Sequence, residues 1–414
     1  MAEDRLMSVK EADRWYVIRR VISGEIRQKA AAELLRLSTR QVRRLEKRVR
    51  ERKHHGVVHG LRGRASNRRL AEAQREEIAA VITARYHDFG PTLAQEKLVE
   101  HEGIDVSVST VRRVMIARGL WQPGRGRTRH RAWRERKRHV GELIQVDGSE
   151  HAWFEERGPR CHLMVFVDDA TGRIMLASFE AHEDTGTLMR LMKAYLGQYG
   201  RPLGLYPDRD SIYRTSRQAT IEEELRDQQP ETQFARAMRE LDIELRCAGS
   251  PQAKGRVERL FETLQDRMVK EMRLAGIATA AQGNAWLPGY LESYNRQFAV
   301  PAAEDADLHR RVQRQQNLDA ILAIRSVRTV TNDYTVRYQQ RVFQLHKRQP
   351  VRVAPKVRIE VEERLDGTTH LRYHEKYLNV TDISDMVHAS RARTRSPTRV
   401  QAALQPTGTT GHFY

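Results

Sequence analysis

Residues 249–267 read GSPQAKGRVERLFETLQDR, and the parsing of the rest of the chain turns on this stretch. Val257, Leu260, Phe261, Leu264 and Met268 recur at helical spacing, so they line one face of an amphipathic helix able to pack on a sheet. Glu258 stands at the flank of that stripe, near the start of the helix. The sheet must lie upstream, where the period changes. Within residues 141–180, ELIQVD, CHLMVFVD and RIMLASFE are short apolar runs, the last two separated by the turn DATG, and they read as three consecutive antiparallel strands. A helix at roughly 184–199 follows, then a strand at LGLYP, a charged insertion from Arg214 to Thr232, a helix ending near Leu241 and a strand IELRCA.

North of this α/β order the chain is helical and basic. Residues 1–140 hold 34 Lys and Arg against 17 Asp and Glu, so +17 of the net +19 lies in the first third. That asymmetry fits a polyanion-binding module joined to a more balanced domain, and nucleic acid is the obvious polyanion. The run RQKAAAELLRLSTRQVRRLEKRVRERK predicts a helix through Leu35, a short turn and a second helix begun by the N-cap Ser38. With Val42, Leu45 and Val49 turned to a small core, Arg40, Arg43, Arg44, Lys47 and Arg48 are left for a major groove; a solvated basic helix is the alternative. Residues 71–120 repeat the helical theme, with a third helix started by Ser107 or Ser109 that carries Arg112 and Arg113. Gly124 to Arg138 has eight basic residues and one acidic one, among them Arg125, Arg127 and Arg129, and suits phosphate contacts.

Several classes are excluded. No run of 18 or more apolar residues occurs, and MAEDRLMSVK lacks the apolar core of a signal peptide, so a protein of the bacterial cytoplasm, beside the nucleoid, is expected rather than a membrane protein. Cys161 and Cys247 are the only cysteines and have no second cysteine at metal-ligand spacing, which leaves buried free thiols.

Acidic residues in strand-like contexts supply the chemistry. Asp147 closes the apolar run of ELIQVDGS, Asp208 lies in LYPDRDSIY, and Glu258 starts the long helix. Three carboxylates converging at strand ends would hold divalent cations and serve two-metal phosphoryl transfer on nucleic acid. Asp210 competes with Asp208 as the second ligand. Asp168 and Asp169, in DDATGR, read as turn residues bonding the backbone.

The motifs QVDGSEHAWFEERG at 145–158, YPDRDSIYR at 206–214 and SPQAKGRVERLFETLQDRMVKEMRLAGI at 250–277 together resemble the DDE transposases of bacterial insertion sequences, the ISNCY type most closely, and in the core the retroviral integrases. The resemblance implies an RNase H-like α/β catalytic core and a strand-transfer enzyme that uses Mg²⁺, with Mn²⁺ as a substitute and two ions per site. Asp147, Asp208 and Glu258 would be its metal-binding triad. Lys254, four residues before Glu258, either pairs with a helix carboxylate at the surface or, with Arg256, grips the DNA end beside the metals. It further implies double-stranded DNA as partner, both element ends and target, and a homodimer or larger assembly on DNA. A silent DNA-binding regulator and a hydrolysis-only nuclease are the competing readings.

The expected organisation is multidomain: a helix-turn-helix domain at 1–55, a basic linker at 56–70, a second, winged-type helix-turn-helix at 71–122, a basic linker at 123–140, an RNase H-like integrase core at 141–300, a helical linker at 301–325, a small β-barrel at 326–383 and a disordered tail at 384–414.

Overall fold

The computed structural model describes residues 7–59, 62, 70–124, 135–208, 212, 213, 215, 230–246 and 255–386. The chain divides into two compact units, Met1–Gly124 and Arg125–Tyr414. Among the described residues no helix is long and apolar enough to cross a membrane.

The first unit is helical. Helices α1 (Val9–Ile22), α2 (Gln28–Leu35) and α3 (Thr39–Arg52) close on a core that includes Ile18, Ala31, Val42, Leu45 and Val49. The expected N-cap holds: the Ser38 Oγ accepts from the Gln41 amide at 3.3 Å, and the Gln41 side chain accepts in return from the Ser38 amide at 2.8 Å. Only a glycine fits at position 56, where a Cβ would come within 2.5 Å of the Arg48 backbone, so the turn after α3 can lie directly against that helix. Helices α4 (Glu72–Arg85), α5 (Pro91–Glu102) and α6 (Val108–Ala117) build a second core around Ile78, Ile82, Leu98 and Met115, with Ser107 capping α6. No strand occurs among the described residues of 71–122, so the wing expected there is not seen.

The second unit is built on a five-stranded sheet of order β3-β2-β1-β4-β5, where β1 is Ile144–His151, β2 Cys161–Asp168, β3 Ile174–Glu180, β4 Gly204–Tyr206 and β5 Glu244–Leu245. Strand β2 runs antiparallel to β1 and β3, while β1, β4 and β5 are parallel. This is the three-antiparallel-then-alternating order of an RNase H-like core. Period-two alternation divides the side chains between two cores. Ile144, Val146, Met164 and Phe166 meet α7 (Thr185–Tyr199) and α8 (Gln233–Glu240) on one face. Leu163, Val165 and Val167 meet α9 (Gly255–Leu274) and α10 (Ala280–Phe298) on the other. The five apolar residues read from the sequence of α9 are all buried there.

Residues 301–325 differ from the expected helical linker. Only α11 (Leu318–Ile321) is helical, and the segment before it is a strap sewn to the sheet unit by backbone hydrogen bonds. Val300 donates to Thr171 O, Glu304 to Arg138 O, Leu308 to Val140 O and Arg310 to Arg201 O, at 2.8–3.1 Å. The sequence PAAEDADLHRR offers no apolar helical stripe, so extended backbone bonded to the core is the better arrangement. Of the seven strands that follow, four bury residues in one core, around Val336, Phe343, Ile359, Val361 and Leu371. The seven form a four-stranded sheet, β11-β10-β9-β6, and a three-stranded sheet, β12-β8-β7: β6 is Ile324–Thr329, β7 Thr335–Tyr338, β8 Arg341–Leu345, β9 Arg358–Glu363, β10 Thr369–Tyr373, β11 Lys376–Tyr377 and β12 Val380–Asp382. No ladder among the described residues joins the two sheets, so the expected barrel is not closed. The Asp366-Gly367 hairpin turn is present, with Gly367 at φ +80°. Of the expected tail, residues 387–414 lie outside the described residues.

Candidate active site

Asp147 is the fourth residue of β1, not its last: the strand continues, paired with β2, as far as His151 opposite Cys161. What ends at this level is the neighbour on the other side. Parallel pairing sets Ile144 opposite Leu205 and Gln145 opposite Tyr206, an offset of 61, and β4 stops at Tyr206. The same number of positions separates Asp147 from Asp208, and Asp208 follows the last residue of β4 by two positions. Both are half-buried.

Glu258 lies in the first turn of α9 and is exposed. That helix is fastened beside β1 at two points. Arg256 Nη1 is 3.0 Å from Asp169 Oδ1, which also accepts from the Gln145 amide of β1, and Gln265 Nε2 donates to Ser149 Oγ at 3.1 Å. At rises of about 1.5 Å per helical and 3.3 Å per strand residue, the segments 256–265 and 145–149 each span about 13 Å. Helix and strand therefore run in step. Gln145, Asp147 and Ser149 share one face of β1, and Glu258 precedes Gln265 by two turns, on the same stripe of α9.

The donor set of Asp147, Asp208 and Glu258 is all carboxylate, the chemistry that suits a hard divalent cation. Among the described residues no three His, Cys, Asp or Glu side chains are grouped closely enough to hold one. Three like charges repel one another until a cation compensates them.

Asp168 has the turn partners expected of it, whereas the Asp169 carboxylate reaches beyond its turn. Asp168 is fully buried; its Oδ2 accepts from the Thr171 amide at 2.9 Å and the Thr171 hydroxyl at 2.7 Å, and its Oδ1 from the Gly141 amide at 3.1 Å. Arg256, expected to grip DNA, pairs with buried Asp169. Trp153 is fully buried, packs on Phe179 and donates to Ser149 O at 3.0 Å, so packing accounts for it. Burial holds the neighbouring His151 below the usual imidazole range, and Arg160 adds to the effect. Burial also pushes the Cys161 thiol up to about 11, which leaves it unreactive.

On the first unit Arg40, Arg43, Arg44 and Lys47 are exposed along α3, with Arg48 half-buried, and Arg112 and Arg113 are exposed on α6. Arg125, Arg127, Arg129, Asp210, Cys247 and Lys254 lie outside the described residues. The sequence reading passed over Gln145. A polar residue buried inside the apolar run ELIQVD was the available signal for its bond to Asp169.

No protein-family model matches the chain. A protein of Sinorhizobium fredii named as a transposase, y4bF, is 40% identical over 368 residues, covering 89% of this chain and 79% of that one. The transposase for insertion sequence IS1202 of Streptococcus pneumoniae is 28% identical over 413 residues, covering 91% and 87%. The chain belongs to the transposases. Among solved structures, the HTLV-2 integrase catalytic core domain in complex with magnesium overlaps 40% of this chain and 94% of its own at 14% identity, with a TM-score of 0.28.

Proposed function

We propose that this chain is a DDE transposase that binds the terminal inverted repeats of its element, cuts at their 3′ ends and joins them to target DNA. The observation that carries this reading is the offset of 61: it pairs β1 with β4, and it also separates the two aspartates, Asp147 and Asp208. Glu258, on the stripe of α9 that runs beside β1, would complete the set. The three would bind Mg²⁺, two ions per site with Mn²⁺ as a substitute; bound there, the ions would activate a water or 3′ hydroxyl and stabilise the leaving oxygen. The basic helices α3 and α6 would supply binding to the element ends, and the enzyme would act in the cytoplasm at the nucleoid. Each chain carries one triad whereas two ends must be joined, so at least two chains would assemble on DNA.

The test is a cleavage and strand-transfer assay with the element's own ends and Mg²⁺. The wild-type chain should cut and join, and Asp147→Asn, Asp208→Asn and Glu258→Gln should each do neither while binding the ends normally. Cleavage without joining by the wild type would convert the reading to a nuclease, and an active triad variant would remove that residue from the site.

A further inference from the structure

Asp169 ties together three elements that the proposed chemistry needs in fixed relation. Its Oδ1 accepts from the Gln145 side chain, two residues before Asp147 on β1, and from Arg256 Nη1 at 3.0 Å, two residues before Glu258 on α9. Its Oδ2 accepts from the Lys137 amide at 2.9 Å, in the segment that enters β1 from the basic linker. Arg136 adds longer bonds to the Asp169 and Ala170 carbonyls, at 3.4 and 3.5 Å. Asp169 is 1% exposed and Gln145 2%.

Packing alone does not call for this group. A carboxylate in an α/β core loses its hydration, and apolar side chains of similar volume commonly give equal or better stability at such places. The Gln145 amide also sits awkwardly: its Oε1 is buried with no hydrogen-bond partner among the described residues, so its one bond, to Asp169, is what orients it. What the charged network adds is a fixed distance and angle between strand and helix. Asp168, one residue earlier, makes the contrast, since its carboxylate serves the turn and the Gly141 amide.

We propose that Asp169 is a positioning residue for the transposition site, setting Glu258 against Asp147 by holding Arg256 and Gln145 on one carboxylate. The proposal rests on the triad reading above. It does not make Asp169 a metal ligand or a group that touches DNA.

The full-length chain tests it with Asp169→Asn, Arg256→Gln and the double variant. An amide at 169 loses the charge and turns a donor toward one of the groups that now donate to it. In metal-free buffer, amide hydrogen exchange over 259–265 should speed up in Asp169→Asn, because the start of α9 is loosened. The Mn²⁺ concentration that half-maximally raises the melting midpoint should increase about 10- to 100-fold, as for other groups that orient metal ligands. The double variant should be no worse than the poorer single variant, since both break one tie. Should Asp169→Asn fail to fold, Gln145→Leu breaks the tie from the strand side. Wild-type exchange and Mn²⁺ dependence in a variant whose midpoint alone falls would overturn the proposal, and so would fully additive effects. Normal cleavage by Asp147→Asn would instead remove the triad reading, while metal-free exchange would still report on the tie.

Discussion

Five acidic residues of the sheet unit, Asp147, Asp168, Asp169, Asp208 and Glu258, fall into two sets. Asp168 and Asp169 are buried, and both oxygens of each accept hydrogen bonds from backbone or side-chain donors. Asp147 and Asp208 are half-buried and Glu258 is exposed. A carboxylate withdrawn from water must be compensated wherever it sits, so the first set is part of the architecture. A half-exposed carboxylate in a strand next to the end of its neighbour adds little to stability, so its position answers to another demand.

The largest effect that can break this division is catalytic. Asp147→Asn should reduce cleavage about 10³-fold or more, by loss of the charge that would hold the metal, while shifting unfolding free energy by no more than about 0.5 kcal/mol. A comparable fall in stability, measured by urea unfolding, would move Asp147 into the architectural set. Asp208→Asn and Asp210→Asn assayed in parallel sharpen the second position, because only the change at the metal-binding residue should silence the enzyme.

Next in size is the opposite case. Asp168→Ala leaves the buried Gly141 and Thr171 amides without their acceptor and should cost about 3 kcal/mol of stability. A chain that melts like the wild type would show that Asp168 is not structural. On the helical unit, Arg43→Gln together with Arg44→Gln should lower the slope of log affinity against log salt by about 2, if each arginine meets one phosphate. An unchanged slope in a filter-binding titration would place the element ends elsewhere.

The smallest effect concerns an intermediate kind of carboxylate. Glu155 is partly exposed, and its hydrogen bonds from Arg273, at 2.6 and 3.0 Å, hold its carboxyl below the ordinary value against a desolvation that raises it. A depressed folded-state value means that its stabilisation is present above the unfolded value and lost as pH falls through the folded one. Arg273→Gln should therefore cost under about 1 kcal/mol at neutral pH and nothing once Glu155 is protonated. A deficit that persists at low pH would trace the effect to packing.

What could be read from the sequence was local or periodic. The strand runs of β1 to β3, the apolar stripe of α9, the Ser38 and Ser107 caps and the Asp366-Gly367 turn each depend on residues within a few positions of one another. The triad candidates were legible for the same reason, as acidic residues beside apolar runs. The expected end of β1 at Asp147 was misplaced because the boundary belongs to β4, a strand that pairs from 61 residues away. The strap after α10 and the Asp169 tie escaped notice because their partners are remote: Lys137, Gln145 and Arg256 are 32, 24 and 87 positions from Asp169. The unclosed barrel follows similarly, since alternation predicts strands and not which edges meet.

The strap also orders events on the ribosome. Arg138 and Glu304, 166 positions apart, are joined by side chain and backbone, and Arg201 finds its backbone partner only in Arg310. The α/β half consequently cannot close until about three quarters of the chain has been synthesised, whereas the helical unit, with local contacts, can fold as it emerges. For the interval between, a nascent chain would carry a finished basic head and an open sheet whose Val140, Thr171 and Arg201 carbonyls still await residues 300–310.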